Sequence, residues 1–132
     1  MGAMFLQVNR NKRCLTLNPL KPEGREIVAR LVGGADVVIA NLPPETLTQM
    51  GLDYETLRGY KDDIILTTVN AWASGGEWSH KVGFDGLAQS ASGNLYMSGP
   101  PGQPSRASAP YVDFSTATLS ARRTVTAAIP VK

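Results

Sequence analysis

Cysteine, histidine and long apolar runs are all scarce in this sequence, and each scarcity excludes a class of protein. The 132 residues include one cysteine and one histidine. A single cysteine cannot form an intramolecular disulfide, and no apolar stretch has the length of a membrane span or the pattern of a signal peptide. We therefore expect a cytoplasmic protein without a membrane partner.

Candidate metal ligands are equally scarce. Neither Cys14 nor His80 has a second cysteine or histidine at ligand spacing, so the sequence predicts no metal site. Cys14 lies close to Leu15 and Leu17, a setting typical of a small, half-buried residue in a strand.

Charge gives little indication of a macromolecular partner. The 13 basic and 11 acidic residues leave a formal charge of +2, too weak a bias to identify a nucleic-acid or membrane-surface protein. The basic cluster at residues 9–13 has no interleaved aromatic side chain to stack on bases. We expect no nucleic-acid partner, whereas a small anionic ligand is compatible. A hydrophobic content of 42% is enough for the core of one small domain.

The first third of the chain alternates strand and helix patterns. A β-type run at Arg13–Asn18 stops at Pro19. An amphipathic helix pattern at Lys21–Ala35 follows, with apolar residues recurring at i, i+4 and i+8. Between Asp36 and Asn41 the chain is wholly apolar, which predicts a strand, within residues 36–42, that is buried on both faces.

The same alternation continues to residue 83. Two short helices are predicted, one over Glu45–Gly51 and one after Asp53, whose carboxylate is suited to cap it. A strand at Asp63–Ala71 and a loop at residues 72–83 follow. This order predicts a parallel sheet with helices on its faces, in which ligands bind beyond the carboxyl ends of the strands.

Three positions fall at those carboxyl ends: Asn41, the loop 70–81, and Asp113, which follows a fourth predicted strand at Ala109–Val112. An aspartate followed by serine and threonine where a strand leads into a helix is typical of an N-cap. The local sequence therefore favours a cap over a nucleophile at Asp113, although one residue can be both.

Longer segments of the chain resemble a known family. The first is "NRNKRCLTLNPLKPEGREIVARLVGGADVVIANLPPETLTQMGLDYETL", and the later ones are "DIILTTVNAWASGG", "VGFDGLAQSASGNLYMSG" and "YVDFSTATLSA". In order and spacing they are similar to the family III CoA-transferases, whose members include formyl-CoA transferase, carnitine CoA-transferase and the α-methylacyl-CoA racemases. The resemblance runs from about Phe5 to Ala121.

The resemblance implies an α/β fold, namely part of a Rossmann-like three-layer sandwich with a mainly parallel sheet. Residues 1–121 would form part of the large, CoA-binding domain. Residues 122–132 would be a divergent tail, where the reading frame or the gene ends in unrelated sequence near Arg122. The paired Arg122 and Arg123 would be costly on a buried face. Subunits of the family are longer and interlock in pairs, so we expect a homodimer and a chain that alone is weakly active or inactive.

The resemblance also implies a reaction. In the transferases the acid matching Asp113 is the nucleophile, and its carboxylate attacks an acyl-CoA thioester to give a mixed anhydride and CoA thiolate. The thiolate returns to form an aspartyl-CoA thioester, which an acceptor carboxylate then resolves. The implied substrates are an acyl-CoA and a carboxylic acid, with coenzyme A as the group that is carried between them.

A single position separates this chain from the racemases of the family. They have histidine before the acid that matches Asp85, and that histidine exchanges the α-proton of the acyl-CoA. This sequence has "GFD", and Phe84 cannot carry a proton. A racemase is therefore disfavoured, and Phe84 is expected to line the acyl pocket or to pack in the core.

The coenzyme A contacts of the family carry over to positions on both sides of the predicted crevice. They are Leu17, Asn41, Leu42, Thr46, Met50 and Lys81, and Phe84 adjoins them. Lys81 has the point charge that suits a phosphate, but Leu20 and Gln49 stand where relatives usually place Lys and Arg. Apolar members of this set are equally typical of core packing. The alternative to catalysis is therefore a CoA-binding or self-associating interaction module.

Overall fold

The computed structural model describes residues 2–129. In chain order its elements are α1 (Ala3–Val8), α2 (Pro22–Gly33), β1 (Val37–Ala40), α3 (Pro44–Met50), α4 (Tyr54–Tyr60), β2 (Ile65–Thr68), α5 (Asp85–Ala91), α6 (Asn94–Met97) and α7 (Tyr111–Ala127). The alternation predicted from α2 to β2 is confirmed, and the loop predicted before α5 contains no helix or strand. Within this described range, no helix combines the length and the hydropathy needed to cross a membrane.

The sheet consists of β1 and β2, which pair in parallel. Val37 lies opposite Ile65, and Ala40 lies opposite Thr68. Helices α3 and α4 form the connection between the two strands, as a parallel pair requires. The parallel arrangement and the α/β class are confirmed at this level, while the three-layer sandwich stays a prediction.

Two other predicted strands are wrong. Residues 12–18 are neither helix nor strand, and Cys14 is exposed rather than half-buried. A strand is stable only when its backbone groups pair with a neighbour, and in residues 2–129 no neighbour pairs with this segment. The second wrong strand, Ala109–Val112, includes the first residues of α7. Its Pro110 cannot donate to a ladder, and with a φ of −78° it directly precedes the helix.

The prediction that β1 is buried on both faces is also wrong. Ala40 is buried, but the Ile39 side chain is 66% exposed. A parallel strand is buried on both faces only where helices cover both sides of the sheet. On the sheet face that Ile39 shares with Thr67, α7 reaches Thr67 of β2, whereas Ile39 of β1 stays exposed.

The hydrophobic core lies between α2, α4 and the sheet. Its buried members are Val28, Val32, Leu57 and Ile64, and the half-buried residues packed against them are Leu17, Ala35, Val38, Leu52 and Leu66. The apolar face predicted for α2 is narrower than expected, since Ile27 and Leu31 are 38% and 54% exposed. Helix α2 is thus held to the core mainly by two side chains one turn apart.

The turn before α2 is held by close backbone packing. The Asn18 Oδ1 accepts a hydrogen bond from the Leu20 amide at 3.0 Å. A Cβ at Gly24 would lie 1.9 Å from the Asn18 carbonyl oxygen, so only glycine permits this approach. The Arg25 guanidinium donates to the carbonyls of Pro19 and Gln49, each at 3.3 Å. These contacts fix the turn that follows Leu17 against the last turn of α3.

The predicted cap of α4 is confirmed. Asp53 is its N-cap residue, and its two carboxylate oxygens accept from the Thr56 amide at 3.1 Å and from the Thr56 hydroxyl at 2.8 Å. The hydroxyl contact, followed by the amide contact, holds the pKa of the Asp53 carboxyl below its usual value.

Candidate active site at the start of helix α7

Asp113 lies in the first turn of α7 and is exposed. The N-cap residue is Pro110 and the helix begins at Tyr111, so the prediction that Asp113 itself caps the helix is wrong. Among residues 2–129, no hydrogen bond or ion pair reaches the Asp113 carboxylate. A carboxylate in the first turn of a helix is stabilised by the helix dipole.

The amides at the start of α7 are satisfied by a different acid. The Asp85 Oδ1 accepts from the Val112 amide at 2.9 Å and from the Asp113 amide at 3.3 Å. Asp85 is the first residue of α5, and it is 7% exposed. An acid at the start of α5 therefore caps α7. Asp85 and Asp113, whose amide it accepts from, are 28 positions apart in the sequence.

Gln89 completes this network from the next turn of α5. Its Nε2 donates to the Asp85 Oδ2 at 2.5 Å, and its Oε1 accepts from the Ala107 amide at 3.0 Å. Gln89 is 1% exposed, so this is a buried amide with both ends paired. No local pattern in the sequence singles out Gln89 as buried. The i, i+4 spacing of Asp85 and Gln89 indicates a shared helix face, but only the fold reveals that this face is buried against α7.

Phe84 is the residue directly before Asp85. It is the N-cap residue of α5, and its side chain is 74% exposed. The option that Phe84 packs in the core is therefore wrong within residues 2–129. Its ring lies on the surface beside the buried acid.

The predicted coenzyme A contacts lie mostly near the carboxyl end of β1. Asn41 directly follows the strand and is exposed, whereas Leu42, Thr46 and Met50 are half-buried along the chain into α3. Leu17 packs against the hydrophobic core, as its packing alternative predicted.

Lys81 is separated from these residues along the chain and lies in an aromatic loop. Its ammonium is 4.5 Å from the centre of the Trp78 ring, a distance typical of a cation–π contact. Trp72 meets Trp78 edge to face, with ring centres 5.0 Å apart. Trp78 thereby restricts where the charge of the exposed Lys81 can lie.

Two neighbouring cavities open at the carboxyl end of β2, where a parallel sheet is expected to bind ligands. The first has a volume of about 340 Å³ and is lined by Pro44, Leu47, Thr48, Asp53, Tyr54, Leu66, Thr68, Asn70 and Ser74. The second has a volume of about 470 Å³ and is lined by Thr68, Val69, Asn70, Ala71, Ala73, Ser74, Thr116 and Ser120. The predicted coenzyme A contacts line neither cavity in the described part of the chain.

Helix α7 connects Asp113 with the second cavity. Thr116 and Ser120 follow Asp113 by one and two turns, which places all three on one face of the helix. No group of three histidine, cysteine, aspartate or glutamate side chains able to hold a metal ion is found between residues 2 and 129. The site therefore consists of one exposed acid, its buried cap and a polar crevice.

Comparisons with known proteins agree on one family. The family model described as CoA-transferase family III matches residues 1–131. The chain is 37% identical to an acyl-CoA transferase of Fusarium pseudograminearum, over 85% of this chain and 25% of that protein. It is 35% identical to the succinyl-CoA:glutarate CoA-transferase of Mus musculus, over 85% of this chain and 26% of that protein.

A solved structure agrees as well. A CAIB/BAIF family protein from Brucella suis superimposes with a TM-score of 0.82 at 32% identity, over 88% of this chain and 31% of that one. The chain thus spans between a quarter and a third of the length of these relatives.

Proposed function

Because the chain belongs to the family III CoA-transferases, we propose that it acts in the transfer of CoA from an acyl-CoA to a carboxylic acid, with Asp113 as the nucleophile. The observation that carries this proposal is the state of Asp113: an exposed carboxylate without hydrogen-bond partners among the described residues, on the helix face that leads into a crevice. An acid that served only as a cap would be bonded to the amides of its own helix. Here Asp85 has that role.

In the proposed reaction, Asp113 passes from a free carboxylate through a mixed anhydride, a CoA thioester and a second mixed anhydride. A carboxylate oxygen of Asp113 attacks the thioester carbon, the C–S bond breaks, and CoA leaves as a thiolate. The thiolate then attacks the aspartyl carbon of the anhydride, which releases the donor acid. The acceptor carboxylate attacks the aspartyl carbon of this thioester, the C–S bond breaks, and a second mixed anhydride forms as CoA thiolate leaves. The thiolate then attacks the acceptor carbonyl of that anhydride, which gives the new acyl-CoA and frees the Asp113 carboxylate. Covalent catalysis of this kind divides one transfer into easier steps.

Coenzyme A is proposed to lie along the carboxyl end of the sheet. Asn41, Leu42, Thr46 and Met50 would contact it near β1. Lys81 would pair with a phosphate, and its contact with Trp78 supports this role because the ring limits the positions of the ammonium.

The first substrates to test come from the names of the relatives. The proteins from Mus musculus, Agrobacterium fabrum and Homo sapiens that this chain resembles are named for succinate and glutarate. We therefore choose succinyl-CoA as donor and glutarate as acceptor. A racemase remains disfavoured, because Phe84 replaces the proton-carrying histidine.

The proposal is tested by trapping the acyl forms of Asp113. The chain is incubated with succinyl-CoA and hydroxylamine, which converts an activated aspartate to a hydroxamate, and the peptide that contains Asp113 is examined by mass spectrometry. Trapping needs one acylation of Asp113 rather than repeated turnover, so we expect the modification even if the chain alone is weakly active. It should appear in the natural chain and in the control Asp62→Asn, and be lost in Asp113→Asn. A folded chain that gives no modification contradicts the nucleophile. If CoA then raises Tm, the non-catalytic CoA-binding alternative is favoured instead.

The assembly is proposed to be a homodimer of Rossmann-like, three-layer domains, with residues 1–121 as part of the CoA-binding domain. The support is apolar surface: Ile39 is 66% exposed on the sheet, and Phe5 and Leu6 on α1 are 48% and 56% exposed. Apolar patches of this kind are typical of contact surfaces. Sedimentation equilibrium should give twice the chain mass, and a monomer at every concentration would contradict this proposal.

A further inference from the structure

We infer that Asp85, Gln89 and Pro110 are positioning residues that keep the Asp113 carboxylate free of its own helix, an inference that rests on Asp113 being the nucleophile. Two separate observations support it. Asp85 occupies the Val112 and Asp113 amides, and the N-cap position holds a proline.

Pro110 removes the backbone N–H that could otherwise donate a hydrogen bond to the Asp113 carboxylate. Asp113 is the third residue of α7, and an acid at this position commonly accepts from the N–H of the N-cap residue, as in a capping box. Pro110 has no N–H. The local bond that an acid at this position usually makes is therefore unavailable.

The buried pair, Asp85 and Gln89, accepts hydrogen bonds from the backbone amides at and before the start of α7. Amides in the first turn of a helix lack partners within the helix and bond to whatever acceptor is near. Asp85 accepts two of them, and Gln89 holds Asp85 through its second oxygen while it also accepts from Ala107, four residues before α7. The chain entering α7 and the first turn of α7 are thus anchored to the same two side chains of α5.

A free carboxylate is the better nucleophile. Each hydrogen bond to a carboxylate stabilises the anion and lowers its basicity, which weakens its attack on a thioester. Transfer of the cap to Asp85 satisfies the helix amides without bonding Asp113, while the anchored backbone still holds Asp113 in one place. Fixed geometry of this kind is what a nucleophile requires.

The first test exchanges the roles of the buried pair. In Asp85→Asn a donor faces the Gln89 Nε2, and in Gln89→Glu two carboxylates face each other, so each single change breaks one bond. In the double variant Asp85→Asn with Gln89→Glu, the new amide at 85 donates to the new carboxylate at 89. Each side chain still has an oxygen to accept from the backbone amides of α7 or Ala107. We expect amide hydrogen exchange at Val112 and Asp113 to be roughly tenfold faster in each single variant and to return towards the natural rate in the double variant. Equal exchange in all four proteins would overturn the anchoring role.

The second test restores the missing N–H. Pro110→Ala supplies a donor to the Asp113 carboxylate, and we measure the rate at which a water-soluble carbodiimide couples an amine to Asp113, with the exposed Asp62 as internal control. We expect coupling at Asp113 to be several-fold slower at unchanged or higher Tm, and coupling at Asp62 to be unchanged. An unchanged Asp113 rate overturns the inference that the carboxylate is kept free, and a merely structural role would move Tm and not this rate.

Neither readout needs an acyl-CoA, so the inference and the proposed function fail separately. If both tests give the expected result and succinyl-CoA with hydroxylamine still does not modify Asp113, the nucleophile assignment is wrong and the geometry stands. If Asp113 is modified equally fast in the natural chain and in Pro110→Ala, the nucleophile stands and the inference is wrong.

Discussion

The hydroxyl oxygens of Thr67 and Thr124 lie 2.6 Å apart, which joins strand β2 to helix α7. The Thr124 hydroxyl donates to the Ser120 carbonyl at 2.8 Å, so Thr67 is the donor to Thr124. Thr124 lies beyond Ala121, in the segment expected to diverge from the family, yet it is buried against the sheet. The neighbouring Arg122 and Arg123 are exposed, so neither has the desolvation cost that a buried face would impose.

Thr124→Val should lower the free energy of unfolding by about 1 kcal/mol, because it removes the acceptor for the Thr67 hydroxyl. The matched control is Thr126→Val. Thr126 also donates to the carbonyl four residues earlier, but it is exposed, and among the described residues no hydrogen bond joins its side chain to β2. Urea unfolding measures both. An equal loss in the two variants would show that the contact with the sheet contributes nothing, and Thr67→Val with Thr124→Val should cost less than the sum of the single changes.

Local signals are sufficient for the elements from α2 to α4. Proline and glutamate at the start of α2, its apolar repeat, the apolar run of β1 and the Asp53 cap all act within a few residues, and each of these elements forms where its pattern predicts. Residues 13–18 have an equally good strand pattern. They form no strand because pairing depends on a neighbour elsewhere in the chain, which no local pattern reports.

The candidate site shows the same limit. The local pattern predicts Asp113 at the start of a helix, but it predicts the wrong residue as the cap. The acid that caps α7 is Asp85, which lies far from α7 in the sequence. No short sequence pattern indicates this contact or the burial of Gln89. Exposure of Ile39 and Phe84 was likewise unpredictable from hydrophobicity, since a residue is buried only where another element covers it.

Gly24→Ala should be among the most destabilising small changes in this chain, with a loss of roughly 2 kcal/mol or more, because the new Cβ would collide with the Asn18 carbonyl oxygen. Gly59→Ala is its control, since Gly59 is also in a helix but has no atom within 4 Å of the added Cβ. That variant should gain about 0.5–1 kcal/mol from helix propensity. Thermal unfolding of the two variants should therefore shift in opposite directions, and a stabilised Gly24→Ala would contradict the close approach.

Leu57→Ala should cost about 2–5 kcal/mol, because Leu57 is fully buried between α2 and the sheet and its truncation leaves a cavity. Leu31→Ala makes the same chemical change at a position that is 54% exposed, so it should cost much less. Urea titration followed by circular dichroism compares the two. Similar losses would mean that the core lies elsewhere than in the cluster around Leu57.

Asp53→Ala should destabilise the chain by about 1 kcal/mol at neutral pH through loss of the α4 cap. The bonds from Thr56 lower the pKa of Asp53 in the folded chain. The ionised acid therefore stabilises the fold above its unfolded pKa, and this contribution disappears as the pH falls through the lower, folded pKa. The difference in unfolding free energy between the natural chain and Asp53→Ala should thus narrow between about pH 5 and pH 2, towards the difference that a neutral cap makes. Asp53→Asn keeps a neutral cap that does not titrate, so its difference from Asp53→Ala should stay constant over that range. A gap between the natural chain and Asp53→Ala that is independent of pH would show that the cap does not depend on the charge of Asp53.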